Sequence, residues 1–272
     1  VGSDGIHAQS VGGSGRGDIS ISIGGGTVQG GSGAGAGVNI DGGANNTLTN
    51  AGSISALSGT AILGGVGNDT VNNDGVVSGT VDLGTGTNAF NNHAAGIFNT
   101  GALVNLGAGN VLTNAGILSP GGLGNILDTT VVGDLVQLTS GVWEIEIGGF
   151  TPGSFDSIDV TGALTGDPGL LSLSSATGSI NFSFLSGYDI SSDIGPGQSM
   201  TLQFLNAGDL DGFPFGMSYS VLGSPWGFQY EVFQQDAGFF LRAVNAIPAP
   251  GALLLGSIGL GLLGWARRRM RW

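Results

Sequence analysis

Cysteine and lysine are both absent from this 272-residue chain. Without cysteine there are neither disulfides nor thiolate metal centres, so the fold must be held by packing and hydrogen bonds. Charge is scarce too, at 9% of residues. Before residue 247 the only arginines are Arg16 and Arg242, set against all 19 acidic residues. Such a surface repels nucleic acid and anionic lipid, which excludes a nucleic-acid function, and it suits calcium, a cationic partner or plain solubility. Helical apolar periodicity is missing before the tail, as are G-x-S-x-G, H-E-x-x-H and any phosphate loop ending in lysine. The run Gly12-Gly13-Ser14-Gly15-Arg16-Gly17 opens no helix and is no dinucleotide site. Glycine is abundant, at 56 residues, and hydrophobic residues reach 40%. That content argues against wholesale disorder, and the length allows one large or two small domains.

A repeat runs through residues 45–118. Thr47-Leu48-Thr49-Asn50-Ala51-Gly52-Ser53-Ile54 is echoed by Thr70-Val71-Asn72-Asn73-Asp74-Gly75-Val76-Val77. Ala89-Phe90-Asn91-Asn92 follows, and Val111-Leu112-Thr113-Asn114-Ala115-Gly116-Ile117 completes the set. The anchors Leu48, Val71, Phe90 and Leu112 are 23, 19 and 22 residues apart. A period near 20 with short alternating strands predicts a β-solenoid, each coil adding one strand per parallel sheet; a meandering sandwich is the alternative. The expected fold is therefore all-β: a right-handed parallel β-helix, a β-rich C-terminal capping module and one apolar C-terminal helix. The four anchors should stack inside, and Asn50, Asn73, Asn92 and Asn114 should bond along the axis at the next corner. Gly52, Gly75 and Gly116 are expected to supply corner dihedrals that a Cβ would resist.

These coils resemble the passenger β-helices of autotransporters and related bacterial adhesins. Gly5-Ile6-His7-Ala8-Gln9-Ser10-Val11-Gly12-Gly13 is similar to a segment recurring in their very large members. Asn114-Ala115-Gly116-Ile117-Leu118-Ser119-Pro120-Gly121-Gly122, followed by Val132-Gly133-Asp134-Leu135, resembles their passenger-associated repeat. The resemblance covers about the first 150 residues and implies a solenoid over 1–149. From 150 to 246 the texture changes, with clustered aromatics and irregularly spaced turns. Ser157-Ile158-Asp159-Val160-Thr161 and Gln229-Tyr230-Glu231-Val232-Phe233 alternate as half-buried strands do. This stretch is either an antiparallel module capping the solenoid, the preferred reading, or a continuation with wider coils.

Candidate chemistry is sparse. Gly64-Gly65-Val66-Gly67-Asn68-Asp69-Thr70-Val71-Asn72 resembles one nonapeptide of the RTX calcium-binding β-roll. Calcium wants six to eight oxygens from successive turns, and here there is a single copy. Asp69, with Asp74 or Asp82, is a weak calcium candidate against the simpler reading of a solenoid corner; no other cofactor is expected. Glu144 and Glu146, two apart in Trp143-Glu144-Ile145-Glu146-Ile147, would share one strand face. Paired carboxylates can serve glycoside hydrolysis, but a solvated face opposite Trp143, Ile145 and Ile147 is the simpler expectation. His7 and His93 are far apart, and His93 sits at a corner. No catalytic constellation emerges, and no enzyme is expected.

The C-terminal residues 247–272 read differently. Ile247-Pro248-Ala249-Pro250 leads into an apolar stretch built on Gly251, Leu253, Leu254, Leu255, Ile258, Leu260, Leu262, Leu263 and Trp265. Arg267, Arg268, Arg269 and Arg271 follow. The apolar part would enter a bilayer while the arginines stay on the cytoplasmic side. Gly251 to Ala266 makes about 24 Å of helix against a hydrocarbon core of roughly 30 Å, so a plain anchor is the competing reading. The tripartite tail resembles the PEP-CTERM sorting signal of exported Gram-negative proteins, with Ala249 where the family carries Glu. That resemblance implies an exosortase-like processing enzyme as partner, an inner-membrane intermediate, and final residence at the cell surface or in the extracellular matrix. The chain opens at Val1 without a leader, so it is read as the C-terminal part of a longer precursor. The expected role is structural or adhesive, with exopolysaccharide or a host or neighbouring surface as candidate partners. A carbohydrate-active solenoid with its catalytic coils upstream is the alternative.

Overall fold

The computed structural model describes residues 2–12, 16–166, 178–210, 218–224 and 227–246. The chain winds in coils whose strands build three parallel ladders, some of the longer strands passing from one ladder to the next. The first coil holds β1 (Ile6–Ser10), β2 (Ser20–Ile23) and β3 (Thr27–Gly30). The second holds β4 (Val38–Gly42), β5 (Asn45–Asn50) and β6 (Ser53–Ala56). Next come β7 (Thr60–Leu63), β8 (Asn68–Asn73) and β9 (Val76–Asp82), the last passing from one ladder to the next. Then β10 (Ala89–Asn92) leads to β11 (Ile97–Asn105), which changes ladder in the same way. Further coils use β12 (Val111–Asn114), β13 (Ile117–Pro120), β14 (Asp128–Val132), β15 (Asp134–Gln137) and β16 (Val142–Ile147).

Parallel stacking does not stop at Gly149. β17 (Ser157–Gly166) pairs with both β14 and β15, and β18 (Ser179–Phe184) pairs with β16. β19 (Ser199–Asp209) and β20 (Ser218–Leu222) add a further parallel strand to two ladders. Only then does the pairing turn antiparallel: β22 (Gly238–Asn245) runs between β19 and β21 (Phe228–Gln235). The aromatic region thus combines the two arrangements that its sequence allowed. Phe213, Phe215, Trp226 and the whole of residues 247–272 lie outside the described residues.

The anchors stack as expected. Leu48 pairs with Val71, Val71 with Phe90, and Phe90 with Leu112; Ile21 precedes them, and Leu135 and Leu164 continue the column. From Leu48 to Leu164 every member is fully buried. The other ladders carry their own inner columns, Ile54–Val77–Phe98–Leu118–Trp143–Ile180 and Ile62–Val81–Val104–Val131–Val160. Within a coil, columns meet across the interior, as where the Phe90 and Phe98 rings stack with centroids 4.5 Å apart. Each fully buried aliphatic or Phe side chain contributes about 1.5–3 kcal/mol by leaving water.

Two residues after each anchor, an amide enters the interior. Asn50 Nδ2 donates to Asn73 Oδ1 (2.8 Å), Asn73 to Asn92 (2.9 Å), Asn92 to Asn114 (2.8 Å), and Asn114 to Gln137 Oε1 (2.9 Å). All five side chains are buried, and all the bonds point the same way along the axis. The same amides serve the corner backbone: Asn92 Nδ2 also donates to the Ile117 carbonyl, and Asn50 Oδ1 accepts from Gly52 N–H. The ladder ends where the residue type changes, at Ile23 below and Gly166 above.

The reason for the corner glycines differs from the expectation. Gly52, Gly75 and Gly116 do not have positive φ. They are small because the coils approach closely there: a Cβ on Gly52 would stand 2.6 Å from the Gly26 carbonyl oxygen. Gly75 and Gly116 would likewise meet the carbonyls of Gly52 and Gly96, which accept the N–H groups of Val76 and Ile117. Left-handed geometry is needed elsewhere, as at Gly79 (φ 126°), where β9 passes from one ladder to the next. No helix among the described residues is long and apolar enough to cross a membrane.

Candidate functional site

Asp69 is the residue of the calcium-like motif that the fold places most clearly. It lies on β8 two residues before Val71, and its side chain is fully buried. A second amide series surrounds it, built from Asn46, Asn88 and Asn110 at the same place before Leu48, Phe90 and Leu112. Asn46 Nδ2 donates to Asp69 Oδ1 (2.7 Å), and Asp69 N–H donates to Asn88 Oδ1 (2.9 Å). Asn88 and Asn110 bind carbonyls of the neighbouring turns. Asp69 Oδ2 is buried without a partner, and burial pushes the carboxyl's pKa up against the opposing pull of the Asn46 amide.

Asp74 and Asp82 do not join it. Asp74 is about half exposed and holds His93 Nδ1 at 3.0 Å, whereas Asp82 accepts from Asn105 and from Gly84 N–H. Among the described residues no group of three His, Asp or Glu side chains could hold a metal. Asp69 thus acts here as a member of the inner polar series. His7 is half exposed beside Asp4, 3.0 Å away, and is not brought near His93 by any contact.

The acidic pair on β16 separates into two environments. Glu144 is half-buried, accepts from Asn181 Nδ2 (2.7 Å), and has its pKa raised chiefly by burial. Glu146 is 1% exposed, not on the solvated face expected for it. Residues 148–156 fold back over β16: Gly148 N–H donates to the Ser154 carbonyl, Asp156 N–H to the Glu146 carbonyl, and Phe155 bridges to Ile147. This brings in Asp156, a residue the sequence pattern did not single out. Its carboxylate oxygens accept from Leu127 N–H (2.7 Å) and Glu146 N–H (2.8 Å), while Glu146 Oε1 faces Gly124 N–H at 3.4 Å.

Two buried carboxyls side by side cannot both ionise cheaply. Burial, reinforced by the Glu146 carboxyl, pushes the Asp156 pKa up to about 9, so Asp156 keeps its proton at neutral pH. Backbone N–H groups donate to both carboxyls, which does not suit a bound cation. The pair joins segments 121–127 and 148–156 to β16.

The pair makes stability pH-dependent. A carboxyl whose folded-state pKa lies above its unfolded value near 3.8 binds more protons when native. Its contribution is fully present below about pH 4 and declines as pH rises through about 9. We expect urea midpoints to fall steadily between those limits. Burial is the main cause of the shift, so Glu146→Gln, which removes the neighbouring carboxyl, should flatten that slope in part and raise stability relative to the native chain near pH 9. Parallel slopes for the two proteins would show that the dyad does not carry the effect.

No protein family, no curated protein and no solved structure matches this chain.

Proposed function

We propose that the chain is a structural or adhesive β-solenoid of an exported, surface-displayed protein, sorted through its C-terminal tail. The observation that carries this reading is how the fold spends its polar groups. The buried amides bond to one another and to corner backbone, and the buried dyad joins two segments to β16, so this chemistry maintains a stack and turns over no substrate. A rod of this kind lengthens by adding coils and needs no disulfide, which suits a stalk outside the cell. In this reading the coils are right-handed, as parallel crossovers are in nearly all proteins. The antiparallel strands β19, β22 and β21 act as the cap that protects the C-terminal edge. Catalysis forms no part of the role, and neither does a required cofactor; a weak calcium interaction at Asp69 is a minor addition.

The tail residues support the sorting half of the proposal. Pro248 and Pro250 favour extended backbone ahead of the apolar stretch, and Arg267 to Arg271 anchor its far end on the cytoplasmic side. An exosortase-like enzyme cutting near that motif would release a strongly acidic body and remove four of the six arginines. Mass spectrometry of surface-extracted protein tests this: the expected mature C-terminus lies near Pro248–Pro250, without Trp272. Recovery of Trp272 in mature surface material would mean a permanent anchor instead.

A further inference from the structure

The outer face of one ladder is mostly small and polar, but an aliphatic stripe crosses it at Val76, Ile97, Ile117 and Val142. Ile97 stands in register between Val76 and Ile117, and the three half-buried side chains form an aliphatic floor. Leu123, on the segment between β13 and β14, is 77% exposed and stands at its rim. Together they line a groove of about 270 Å³ that includes Glu144.

The Glu144 carboxylate of this groove has room for a further donor. Glu144 has one protein hydrogen bond, from Asn181, and no arginine or histidine lies within ion-pair distance of it among the described residues. Ser119 lines the same groove, but its Oγ is sealed from solvent and takes no part in it. Asn99 is not the further donor, because its amide donates to Ser78 Oγ (3.0 Å). The lining offers no aromatic ring to take a sugar face and no cation to take an anion. An aliphatic floor beside a carboxylate with no cationic partner among the described residues fits a methylene stem carrying a terminal ammonium.

We propose that this groove binds the side chain of a lysine presented by a partner protein. The methylenes lie on Val76, Ile97 and Ile117 under Leu123, and the ammonium meets Glu144. The chain has no lysine of its own, so the occupant comes from another molecule, and the acidic body attracts such a partner over a distance. The inference concerns which partner is held and does not depend on how the tail is processed.

The test uses the full chain and two small probes, Nα-acetyl-lysine methylamide and its norleucine counterpart, which keeps the stem but lacks the ammonium. Titration is followed through the methyl NMR signals of Ile97, Ile117 and Leu123. The lysine probe should bind with a dissociation constant on the order of 1 mM, as expected for so small a ligand. The norleucine probe should bind about tenfold or more weakly, since only the stem remains to hold it. Glu144→Gln should weaken the lysine probe about tenfold while leaving the ligand-free methyl spectrum in place, which separates lost binding from lost folding. Leu123→Ala, at an exposed position, should weaken both probes. Equal binding of the two probes, or an unchanged affinity in Glu144→Gln, would overturn the proposal. So would a neutral hexose shifting the same methyls more strongly than the lysine probe, since the groove would then be a carbohydrate site. Retention or loss of Trp272 bears on sorting alone and leaves each of these outcomes readable.

Discussion

Phe90→Asp should leave no folded middle to the solenoid. Phe90 is fully buried between Val71 and Leu112 and stacked on Phe98, so the substitution removes a ring from one column and the stacking partner of a ring in the next. Truncating a core Phe costs about 3–5 kcal/mol, and an unpaired buried carboxylate adds several more. The sum is comparable to the roughly 5–15 kcal/mol that holds a whole domain together. Because each coil contacts only its neighbours, the failure is expected to start locally and to spread outward. Limited proteolysis should open sites between residues 68 and 120, and the β-sheet circular dichroism signal should fall. Phe90→Leu, which keeps an apolar side chain, should cost only about 1–2 kcal/mol and remain folded. A Phe90→Asp protein melting like the native one would refute the stacked interior.

The second large effect is expected at Asn92, the middle of the amide ladder. Its Oδ1 accepts from Asn73, and its Nδ2 donates to Asn114 Oδ1 and to the Ile117 carbonyl. Asn92→Ala leaves buried donor and acceptor groups short of partners, at about 1–3 kcal/mol for each. Asn92→Asp preserves shape but sets a carboxylate oxygen against two acceptors in place of a donor. It should therefore destabilise more than Asn92→Ala at neutral pH, although it creates no cavity. The sign of its pH dependence follows from the same contacts. The buried Asp would have a raised pKa, so its penalty shrinks as pH falls and the proton restores a donor. Thermal melts of both variants at pH 4 and pH 8 distinguish the two costs. If the Asp variant were the more stable one at pH 8, the ladder would not be a directed chain of donors.

Much of the interior was legible because solenoid coils repeat their neighbours. Leu48, Val71, Phe90 and Leu112 sit in matching local contexts, and so do the amides that follow them, so one-dimensional spacing identified a three-dimensional column. The earlier amide series carried an equally regular signal, in Asn46, Asp69, Asn88 and Asn110 two residues before each anchor. The glycine-rich context of Asp69 drew attention to calcium instead of to that spacing. Coils beyond residue 149 were less visible because their length changes. Leu135 and Leu164 are 29 residues apart in sequence yet adjacent in register, and Trp143 and Ile180 are 37 apart. Corners accept insertions of very different length at little cost in loop entropy, whereas the strands must keep their alignment.

The sequence by itself determined which side of each short strand faces inward, since alternation sets that residue by residue. It also determined that the stabilising contacts would be apolar columns and amides, because no cysteine was there to cross-link them. Only the tertiary structure decided which distant residues meet. Local pattern placed Glu144 and Glu146 on one face, but the segment folding back through residues 148–156 buried Glu146 against Asp156 and left Glu144 beside a groove. Register likewise showed that Gly52, Gly75 and Gly116 are required for the closeness of neighbouring coils rather than for their own dihedrals. Such contacts depend on how corner segments close between coils, and a strand's own alternation carries no record of that closure.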